Sequence, residues 1–420
     1  MPTIDPIARA LVPVDSAAAE ALGAPNYDEF QSDEEVWHLL QARPDSVLRS
    51  TMPHCHVADV GAIGEDGSEA SLAHARTEMQ RLIAGPLTRE VRDLLWVYEI
   101  TRPEHAAAPQ FGLGGMALTS EIRTAGNPGG SILRNEGIRE SKAQGRARLT
   151  AATHADMGTV NLAVDDDSGQ FQAALEQYAR ANTPSFESTD ELANHHRVWL
   201  LTERATIARL RALVAAEPRA YVADGNHRSA AAAMLGYRHY LAVFFVARTM
   251  TIAPYNRLID ASAVPPGDLI AALRTNFVVE PQFGGPYQPE NTHDVGLYDG
   301  TSWWRLRPRS GTFDPRDAAQ DIDADIVQRR FFAEVLHVED ARDERLTFVG
   351  ANRDAQWLQD EVDSGRFRLA VTLPPVTMRQ FTDVCMQDKL MPPKSTWFVP
   401  KIRCGLVMAL LDQPGRSMRP

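Results

Sequence analysis

The sequence predicts a mixed α/β fold in which strands and helices follow one another without regular alternation. The apolar run "YLAVFFVAR" (240–248) is typical of a buried strand. The segment "ERATIARLRALVAAEP" (203–218) places apolar side chains on one helical face before a terminating proline. Between them, "YVADGNHRSAAAAMLG" (221–236) passes from an apolar strand into an alanine-rich helix. Because the alternation is uneven elsewhere, we do not expect a regular doubly wound sheet.

The N-terminal third of the chain carries its own helix and strand signals. Ser32, followed three residues later by Glu35, predicts a helix N-terminus with a capping box. "ASLAHARTEMQRLIAGPL" (70–87) predicts an amphipathic helix that the Gly-Pro pair ends. "DLLWVYEITR" (93–102) and "FGLGGMALTSEIRT" (111–124) predict two strands joined by a proline-containing loop.

Composition and charge narrow the class of protein. Of 420 residues, 44% are apolar and 23% charged, as in a soluble globular protein, and the formal net charge is −12. That balance opposes a general nucleic-acid binder, which needs a basic face, although a local basic pocket is compatible with it. No apolar run reaches the length of a membrane span, and the N-terminus lacks signal-peptide character. We therefore expect a cytoplasmic protein without nucleic-acid or membrane partners. The sequence leaves the oligomeric state open, and a homo-oligomer is one possibility.

The three cysteines predict reduced thiols. Cys55, Cys385 and Cys404 lie far apart and form no Cys-x-x-Cys pair. "HCH" (54–56) would place two imidazoles on one strand face, but no third ligand is nearby in the sequence. The cysteines and this histidine pair therefore indicate neither a disulfide framework nor a zinc knuckle.

The strand-to-helix corner at Asp224 has the chemistry of an anion site. A helix N-terminus offers unsatisfied N–H groups and a partial positive charge, and Gly225 lets the backbone approach a phosphate closely. Arg228 adds a guanidinium fork, while Ser229 and the following alanines keep the first turns slim. Asp224 would hold Mg²⁺ or accept a proton, and His227 would donate to a phosphoryl oxygen or act as an acid. The alternative is that the acid merely caps the helix and the cations are solvated.

The segment "MPPKSTWFVPKIRCG" (391–405) is a second candidate. Its prolines fix a loop at low entropic cost, which positions cations and hydroxyls on a ligand. The candidate groups are those of Lys394, Ser395, Thr396 and Lys401. Trp397 or Phe398 would stack on a base or pack beneath it, and the alternative is a rigid surface loop with a core aromatic.

A third candidate is "RNEGIRESKAQGRAR" (134–148). Lys142 and Arg146 share one face if the segment is helical. Glu136, placed near these cations and a phosphate, would make a general base for a hydroxyl nucleophile. The alternative is a solvated charged helix.

Two of these segments resemble the signatures of a large prokaryotic family known only as a domain of unknown function. Its members carry Asp-Gly-His-His-Arg and Met-Pro-Pro-Lys-Ser-Thr, which appear here as "DGNHR" and "MPPKST". "APNYDEFQSDEEV" (24–36) and "ERLTFVG" (344–350) resemble further family segments, so the similarity covers essentially the whole chain.

The corner is also similar to the phosphate loop of the ParB/sulfiredoxin superfamily, which includes free serine kinases. The resemblance implies a ParB/sulfiredoxin-like nucleotide-binding core at 121–255, between an N-terminal α/β region (1–120) and a C-terminal α/β region (256–420). It implies nucleotide binding at Gly225, Asn226, His227, Arg228 and Ser229.

One segment departs from the family pattern. Glu136, Lys142 and Arg146 match, but Asn135 stands for a histidine, Ile138 for a threonine and Gly145 for an aspartate. The nucleotide corner is therefore expected to be intact, while the acceptor side has changed. A new acceptor explains this departure, and so does a loss of catalysis.

The first hypothesis is a Mg²⁺-dependent kinase that moves phosphate from ATP or ADP to a small, serine-like hydroxyl compound. The corner and the two lysines of 391–405 would hold phosphates, and Glu136 would deprotonate the acceptor. Asn135, Lys142 and Arg146 would bind that acceptor. The second hypothesis is a nucleotide-binding regulator without catalysis, and a third is sulfiredoxin-like thiol chemistry at Cys404. The acceptor and the nucleotide stay open.

Overall fold

Strands and helices alternate unevenly along the residues that the computed structural model describes, 1–265 and 267–411. The mixed α/β class is therefore confirmed. The chain divides into two units: the first comprises Met1–Arg134, Ile138–Met250 and Pro400–Pro420, and the second comprises Asn135–Gly137 and Thr251–Val399. The boundaries at 120/121 and 255/256 stay predictions. Residues 266 and 412–420 of the predicted C-terminal region lie outside the described residues.

The helices are, in chain order, α1 (Ser16–Leu22), α2 (Asp33–Ala42), α3 (Leu48–Thr51), α4 (Glu69–Ala84), α5 (Glu140–Thr153), α6 (Gln170–Ala181), α7 (Arg204–Ala216), α8 (Asn226–Met234), α9 (Leu269–Leu273), α10 (Asp323–Val327), α11 (Ala355–Asp363) and α12 (Met378–Met386). A π-helical turn, Gln328–Ala333, follows α10. No helix in the described part of the chain is both long and apolar enough to cross a membrane.

The strands are, in chain order, β1 (Ile4–Asp5), β2 (Ile7–Pro13), β3 (Thr88–Thr101), β4 (Gln110–Leu118), β5 (Ile132–Leu133), β6 (Ala155–Asp156), β7 (Val160–Val164), β8 (Phe186–Thr189), β9 (His195–Leu201), β10 (Ala220–Asp224), β11 (His239–Val246), β12 (Thr251–Ala253), β13 (Asn256–Ile259), β14 (Phe277–Gln282), β15 (Val295–Tyr298), β16 (Trp303–Pro308), β17 (Leu346–Val349), β18 (Leu369–Thr372), β19 (Trp397–Val399) and β20 (Met408–Leu410).

The predicted N-terminal elements form where the sequence places them. The hydroxyl of Ser32 accepts from the N–H of Glu35 at 3.3 Å and starts α2. The carboxylate of Glu35 reaches back to the N–H of Gln31 at 3.0 Å, so the reciprocal half of the capping box lies one residue earlier than predicted. Helix α4 ends at Ala84 with Gly85 as its C-cap. The glycine-containing segment forms β4, which pairs with β3.

One large mixed sheet organises the first unit. Its described strands number twelve, and its main path runs β5-β10-β7-β11-β4-β3-β2-β20-β6. The run predicted as a buried strand forms β11, whose residues from Tyr240 to Val246 are all buried. Strand β10 lies between β5, to which it is parallel, and β7, to which it is antiparallel. The strand-to-helix corner therefore projects from one end of a strand fixed on both sides.

The second unit has its own sheets and core. Six strands pair in the order β14-β16-β15-β18-β13-β17, and β12 pairs separately with β19. Leu258 and Ala370 on neighbouring strands pack with Leu358 of α11 in one buried cluster. Burial of apolar surface on one sheet face against a helix is the main favourable term for such a layer.

Candidate functional site in the first unit

The corner after β10 has the predicted strand-turn-helix geometry. Gly225 has φ +98° and is the N-cap of α8, with no side-chain cap at this end among the described residues. A Cβ at position 225 would lie 3.1 Å from Nε of Arg228 and 3.2 Å from Cα of Val160. Glycine is thus required both for the turn and for the close approach. The N-terminus of a helix has the partial positive charge that suits an anion, and α8 presents this end at the corner.

Arg228 is a buried organiser of this corner. The residue is 8% exposed, which overturns the alternative of a solvated guanidinium. Its Nη1 donates to Oδ1 of Asn26 at 3.1 Å and to the carbonyl of Thr159, and its Nη2 lies 3.3 Å from Oδ1 of Asp224. Burial alone would lower the pKa of Arg228, but the carboxylates of Asp224 and Asp28 shift it upward overall. The side chain therefore stays charged.

Asp224 is held between two cations. Nζ of Lys401 lies 3.1 Å from Oδ2 of Asp224, while the guanidinium of Arg228 faces Oδ1. Lys401, predicted from its own segment, is thereby brought to the corner. A Mg²⁺ ion at Asp224 would have to displace one of these cations, because the carboxylate charge is already neutralised. These residues do not fit the predicted metal role of Asp224.

Two predicted ligands of phosphate have other partners at the corner. The N–H of Arg139 donates to Nε2 of His227 at 2.8 Å, so this nitrogen carries no proton and cannot act as the acid in this arrangement. The hydroxyl of Ser229 donates to the carbonyl of Asn226 at 3.1 Å within the first turn of α8. Backbone N–H groups rather than these side chains are the donors that the helix end offers.

The N-terminal segment supplies residues that the sequence did not assign to the site. Oδ1 of Asn26 accepts from Arg228 and also from the thiol of Cys404 at 2.9 Å. The N–H of Asn26 donates to Glu29 at 2.7 Å. Burial raises the pKa of Glu29 to about 7, although the charge of Lys401 opposes the shift. In the sequence, the only indication that Asn26 and Glu29 belong to the site is that "APNYDEF" resembles a family segment, and this resemblance assigns no role to either residue.

Cys404 does not have the properties of a reactive thiol. The side chain is 5% exposed and donates its hydrogen bond to Asn26. Burial raises the pKa of the Cys404 thiol to about 12, although the charge of Arg228 opposes the shift. Because the thiolate is the nucleophile in thiol chemistry, this environment argues against the sulfiredoxin-like hypothesis.

A small cavity of about 50 Å³ lies beside α8. Ala231 and Ala232 form its wall on that helix, and the cations Arg146 and Arg228 line it together with Asp156. Burial raises the pKa of Asp156 to about 6, opposed by hydrogen bonds from backbone N–H groups and by Arg228. The slim first turns predicted for α8 thus border a space with two cations and one weakly acidic carboxyl group.

The predicted charged segment is helical in the part that carries its cations. Lys142 and Arg146 lie four residues apart in α5, and Lys142 is exposed. Arg146 places its guanidinium 4.3 Å from the ring centre of Tyr27. It also donates to the carbonyl of Thr51 at 3.1 Å and to Asp66 at 2.9 Å. Arg146 is therefore fixed at the cavity wall rather than solvated.

The other predicted site residues belong to the second unit. There the N–H of Met391 donates to the carbonyl of Asn135 at 2.8 Å, and the Asn135 amide donates to Oγ1 of Thr396 at 3.4 Å. Glu136 forms an isolated parallel bridge with Met391. Lys394 has φ +58°, and its Nζ lies 5.4 Å from the ring centre of Tyr255. The predicted segments 134–148 and 391–405 therefore meet at these residues.

Other members of the 391–405 segment are structural. The hydroxyl of Ser395 donates to the carbonyl of Pro392 at 2.7 Å, and Ser395 is buried. Trp397 lies 5.3 Å from Tyr255 between ring centres, and Phe398 lies 5.1 Å from Phe381. Both aromatic residues are buried, which favours the alternative of core aromatics. A role in stacking on a base or packing beneath it stays a prediction.

Comparisons with known proteins give one family and several distant structures. The family model described as "Protein of unknown function (DUF1015)" matches residues 4–330. No curated protein matches the chain. Among solved structures, a conserved hypothetical protein from Pyrococcus furiosus is 11% identical with a TM-score of 0.37, covering 65% of this chain and 89% of its own.

Two further solved structures are similarly distant. A free serine kinase in complex with AMP is 9% identical with a TM-score of 0.38, covering 64% of this chain and 84% of its own. SbnI from Staphylococcus aureus, with a C-terminal truncation, is 10% identical with a TM-score of 0.37, covering 69% of this chain and 84% of its own.

Proposed function

We propose that this chain, which belongs to the family described as "Protein of unknown function (DUF1015)", is a small-molecule kinase. It transfers a phosphoryl group from ATP or ADP to the hydroxyl of a serine-like metabolite. One observation carries the proposal. Helix α8 begins at a glycine with positive φ, and at that end Arg228 and Lys401 both form ion pairs with Asp224.

The charge at this corner suits a polyphosphate. Two cations, Arg228 and Lys401, face the carboxylate of Asp224 at this end of α8. The partial positive charge of the α8 N-terminus adds to their charge. Phosphoryl transfer depends mainly on positioning and on neutralising phosphate charge, which N–H groups and cations supply. The nucleotide phosphates would therefore bind at the N–H groups of Gly225 and Asn226.

Lys401 is the second cation that pairs with Asp224 at this corner. Arg228 pairs with the same carboxylate and also donates to Asn26 and Thr159, which fixes its position. On binding, Lys401 would share its charge between Asp224 and a phosphate oxygen, while Arg228 keeps the corner rigid. Phosphate affinity is then expected to depend on Lys401 directly.

The cavity beside α8 suits a small acceptor group. A cavity of about 50 Å³ has room for a small polar group of a few non-hydrogen atoms. Arg146 and Arg228 at its wall would pair with a carboxylate of the acceptor. This keeps the predicted acceptor role of Arg146. The roles of Glu136 as base and of Asn135, Lys142, Lys394 and Thr396 as ligands stay predictions.

The kinase is tested by phosphorus NMR of the protein with magnesium nucleotide and a panel of hydroxy amino acids and related alcohols. We expect a new phosphomonoester signal with at least one acceptor, and a loss of roughly tenfold or more in its rate in Lys401→Gln, because a charge-assisted contact is removed. Lys389→Gln is the matched control, because Lys389 also pairs with an aspartate, Asp317. Equal loss in both variants would contradict the assignment.

A second candidate, a nucleotide-binding regulator without transfer, is favoured by the altered acceptor segment. Asn135 stands where the family carries histidine, is 1% exposed, and donates to the hydroxyl of Thr396. Calorimetry that shows nucleotide binding lost in Lys401→Gln, with no phosphomonoester across the panel, would favour this candidate. Absence of nucleotide binding would remove both.

A further inference from the structure

A buried imidazole lies between a carboxylate and a thiol in the first unit. His54 and Cys55 belong to the short 3₁₀ turn Pro53–Cys55, which replaces the strand that the "HCH" pattern would need. They are 4% and 0% exposed. Asp33, the first residue of α2, approaches from a segment 21 residues earlier than His54 and supplies the third ligand that the sequence did not reveal.

The donor atoms are arranged around one point. One ligand atom each from Asp33, His54 and Cys55 lies within 4.8 Å of the others. Nε2 of His54 is 3.3 Å from Oδ1 of Asp33. Tetrahedral Zn²⁺ with bonds of about 2.0–2.3 Å separates its ligand atoms by about 3.3–3.8 Å. Contraction by about 1.5 Å at most would therefore bring these atoms to bonding positions.

A second carboxylate stands behind the imidazole. Nδ1 of His54 lies 3.6 Å from Oδ1 of Asp66, and this buried nitrogen has no hydrogen-bond partner among the described residues. Metal-bound histidines usually donate their other N–H to a carboxylate, which fixes the ring. Arg146 holds Asp66 at 2.9 Å from the far side. A small movement of Asp66 toward His54 would thus give the buried Nδ1 of His54 a hydrogen-bond partner.

We propose that Asp33, His54 and Cys55 bind one Zn²⁺ ion, with Asp66 orienting His54. A set of one thiolate, one imidazole and one carboxylate suits a borderline cation such as Zn²⁺ rather than Mg²⁺ or Ca²⁺. Three protein ligands leave the fourth position for water. Asp33 is exposed and gives the ion an entry path from solvent.

A neighbouring histidine pair is the competing site. His56 and His74 lie 2.6 Å apart between ring nitrogens, and Glu78 is near both. Arg49 and Arg81 already hold the Glu78 carboxylate at 2.8 and 2.9 Å. A cation would have to compete with these two guanidinium groups, so we assign Zn²⁺ to the His54 cluster.

The test is a cobalt titration of the untagged full-length protein after treatment with a chelator. We expect one Co²⁺ per chain, visible d–d bands, a near-ultraviolet thiolate charge-transfer band, and displacement by Zn²⁺. Cys55→Ser should lose the charge-transfer band, and Asp33→Asn should weaken affinity roughly tenfold or more. Because Asp33 is exposed, that variant keeps the fold even if Cys55→Ser does not. His56→Gln is the control and should retain the spectrum.

Several outcomes would overturn the assignment. A titration without a thiolate band shows that Cys55 is not a ligand. Binding that survives Asp33→Asn unchanged but disappears in His56→Gln places the ion at the histidine pair instead. Binding weakened by Asp33→Asn, together with a single sulfur scatterer at about 2.3 Å in zinc X-ray absorption, supports it.

Discussion

Room for the Arg228 side chain is made by two glycines on different segments. A Cβ on Gly158 would lie 2.8 Å from Cδ of Arg228, and one on Gly225 would lie 3.1 Å from Nε. The guanidinium then reaches Asn26, which joins the corner to the N-terminal segment. At the residue scale, the candidate site therefore depends on missing side chains as much as on charged ones.

Gly225→Ala should destabilise the protein more than Gly236→Ala. Both glycines have positive φ, +98° and +70°, so both substitutions strain the backbone. Only position 225 has neighbours within 4 Å of the added Cβ. We expect a cost of about 2–3 kcal/mol at 225 and about 1 kcal/mol at 236, measured by urea unfolding. Equal costs would show that crowding by Arg228 is unimportant.

Burial of Glu29 should make the free energy of unfolding decrease as the pH rises. Burial raises the pKa of Glu29 to about 7, above its ordinary value of 4.5. The folded state then binds more protons between these pH values, so its stability decreases from about pH 4.5 to about pH 7. Glu29→Gln should remove that decrease, and gain about 1–3 kcal/mol relative to the natural chain at pH 8 but little at pH 4.

Glu203→Gln serves as the control of opposite sign. Thr206 and Ala205 donate to the Glu203 carboxylate at the start of α7, and these hydrogen bonds lower the pKa of Glu203. Its contribution is present above the unfolded pKa and is lost as pH falls. Urea unfolding at several pH values should show the two variants diverging from the natural chain in opposite directions. A Glu29→Gln effect independent of pH would refute the assignment.

At the element scale, β4 is shaped by the side chains of the strands beside it. Gly114 pairs with Trp96 on β3, and Gly112 pairs with Phe245 on β11. A Cβ on Gly114 would lie 2.0 Å from the Trp96 ring. Glycines in this strand therefore mark a place where large side chains cross over the backbone.

Gly114→Ala should destabilise the first unit by about 3 kcal/mol or more, because the Trp96 ring has to move out of a packed core. Gly145→Ala is the control: this glycine lies within α5 and has nothing within 4 Å of an added Cβ. It should be neutral or stabilising by up to about 1 kcal/mol. Thermal unfolding of both variants checks the expectation, and similar melting temperatures would contradict it.

At the scale of the whole molecule, the distribution of charge favours binding of a small anionic ligand and opposes binding of a long polyanion. The formal net charge of −12 repels an extended nucleic acid, while the two cations at Asp224 and the N-terminus of α8 favour a single nucleotide. Long-range repulsion and short-range attraction coexist because exposed charges are screened beyond about 10 Å at ordinary ionic strength.

Nucleic acid should therefore bind weakly. We expect a dissociation constant weaker than about 10⁻⁴ M for labelled duplex or single-stranded DNA at physiological salt, measured by fluorescence anisotropy. Free nucleotide should bind more tightly under the same conditions. DNA binding in the micromolar range that falls steeply with added salt would reverse the expectation and favour a regulator that acts on DNA.

The sequence by itself determined the local elements and the family. The spacing of apolar residues and the proline that follows predict helix α7, and a continuous apolar run predicts the buried strand β11. The conformational freedom of glycine predicts the turn at Gly225. Each of these signals acts over a few residues. The helical placement of Lys142 and Arg146 follows in the same way. Such features need no knowledge of where the rest of the chain lies.

Only the tertiary structure decided which distant side chains meet. Lys401 reaches Asp224 across 177 positions, Arg228 reaches Asn26 across 202, and the backbone of Arg139 engages His227. These contacts depend on strand order and on how segments return to the sheet, and no local pattern encodes that order. The sequence therefore identified the charged residues of the corner, whereas the fold decided that Asp224 is paired and that Arg228 is buried.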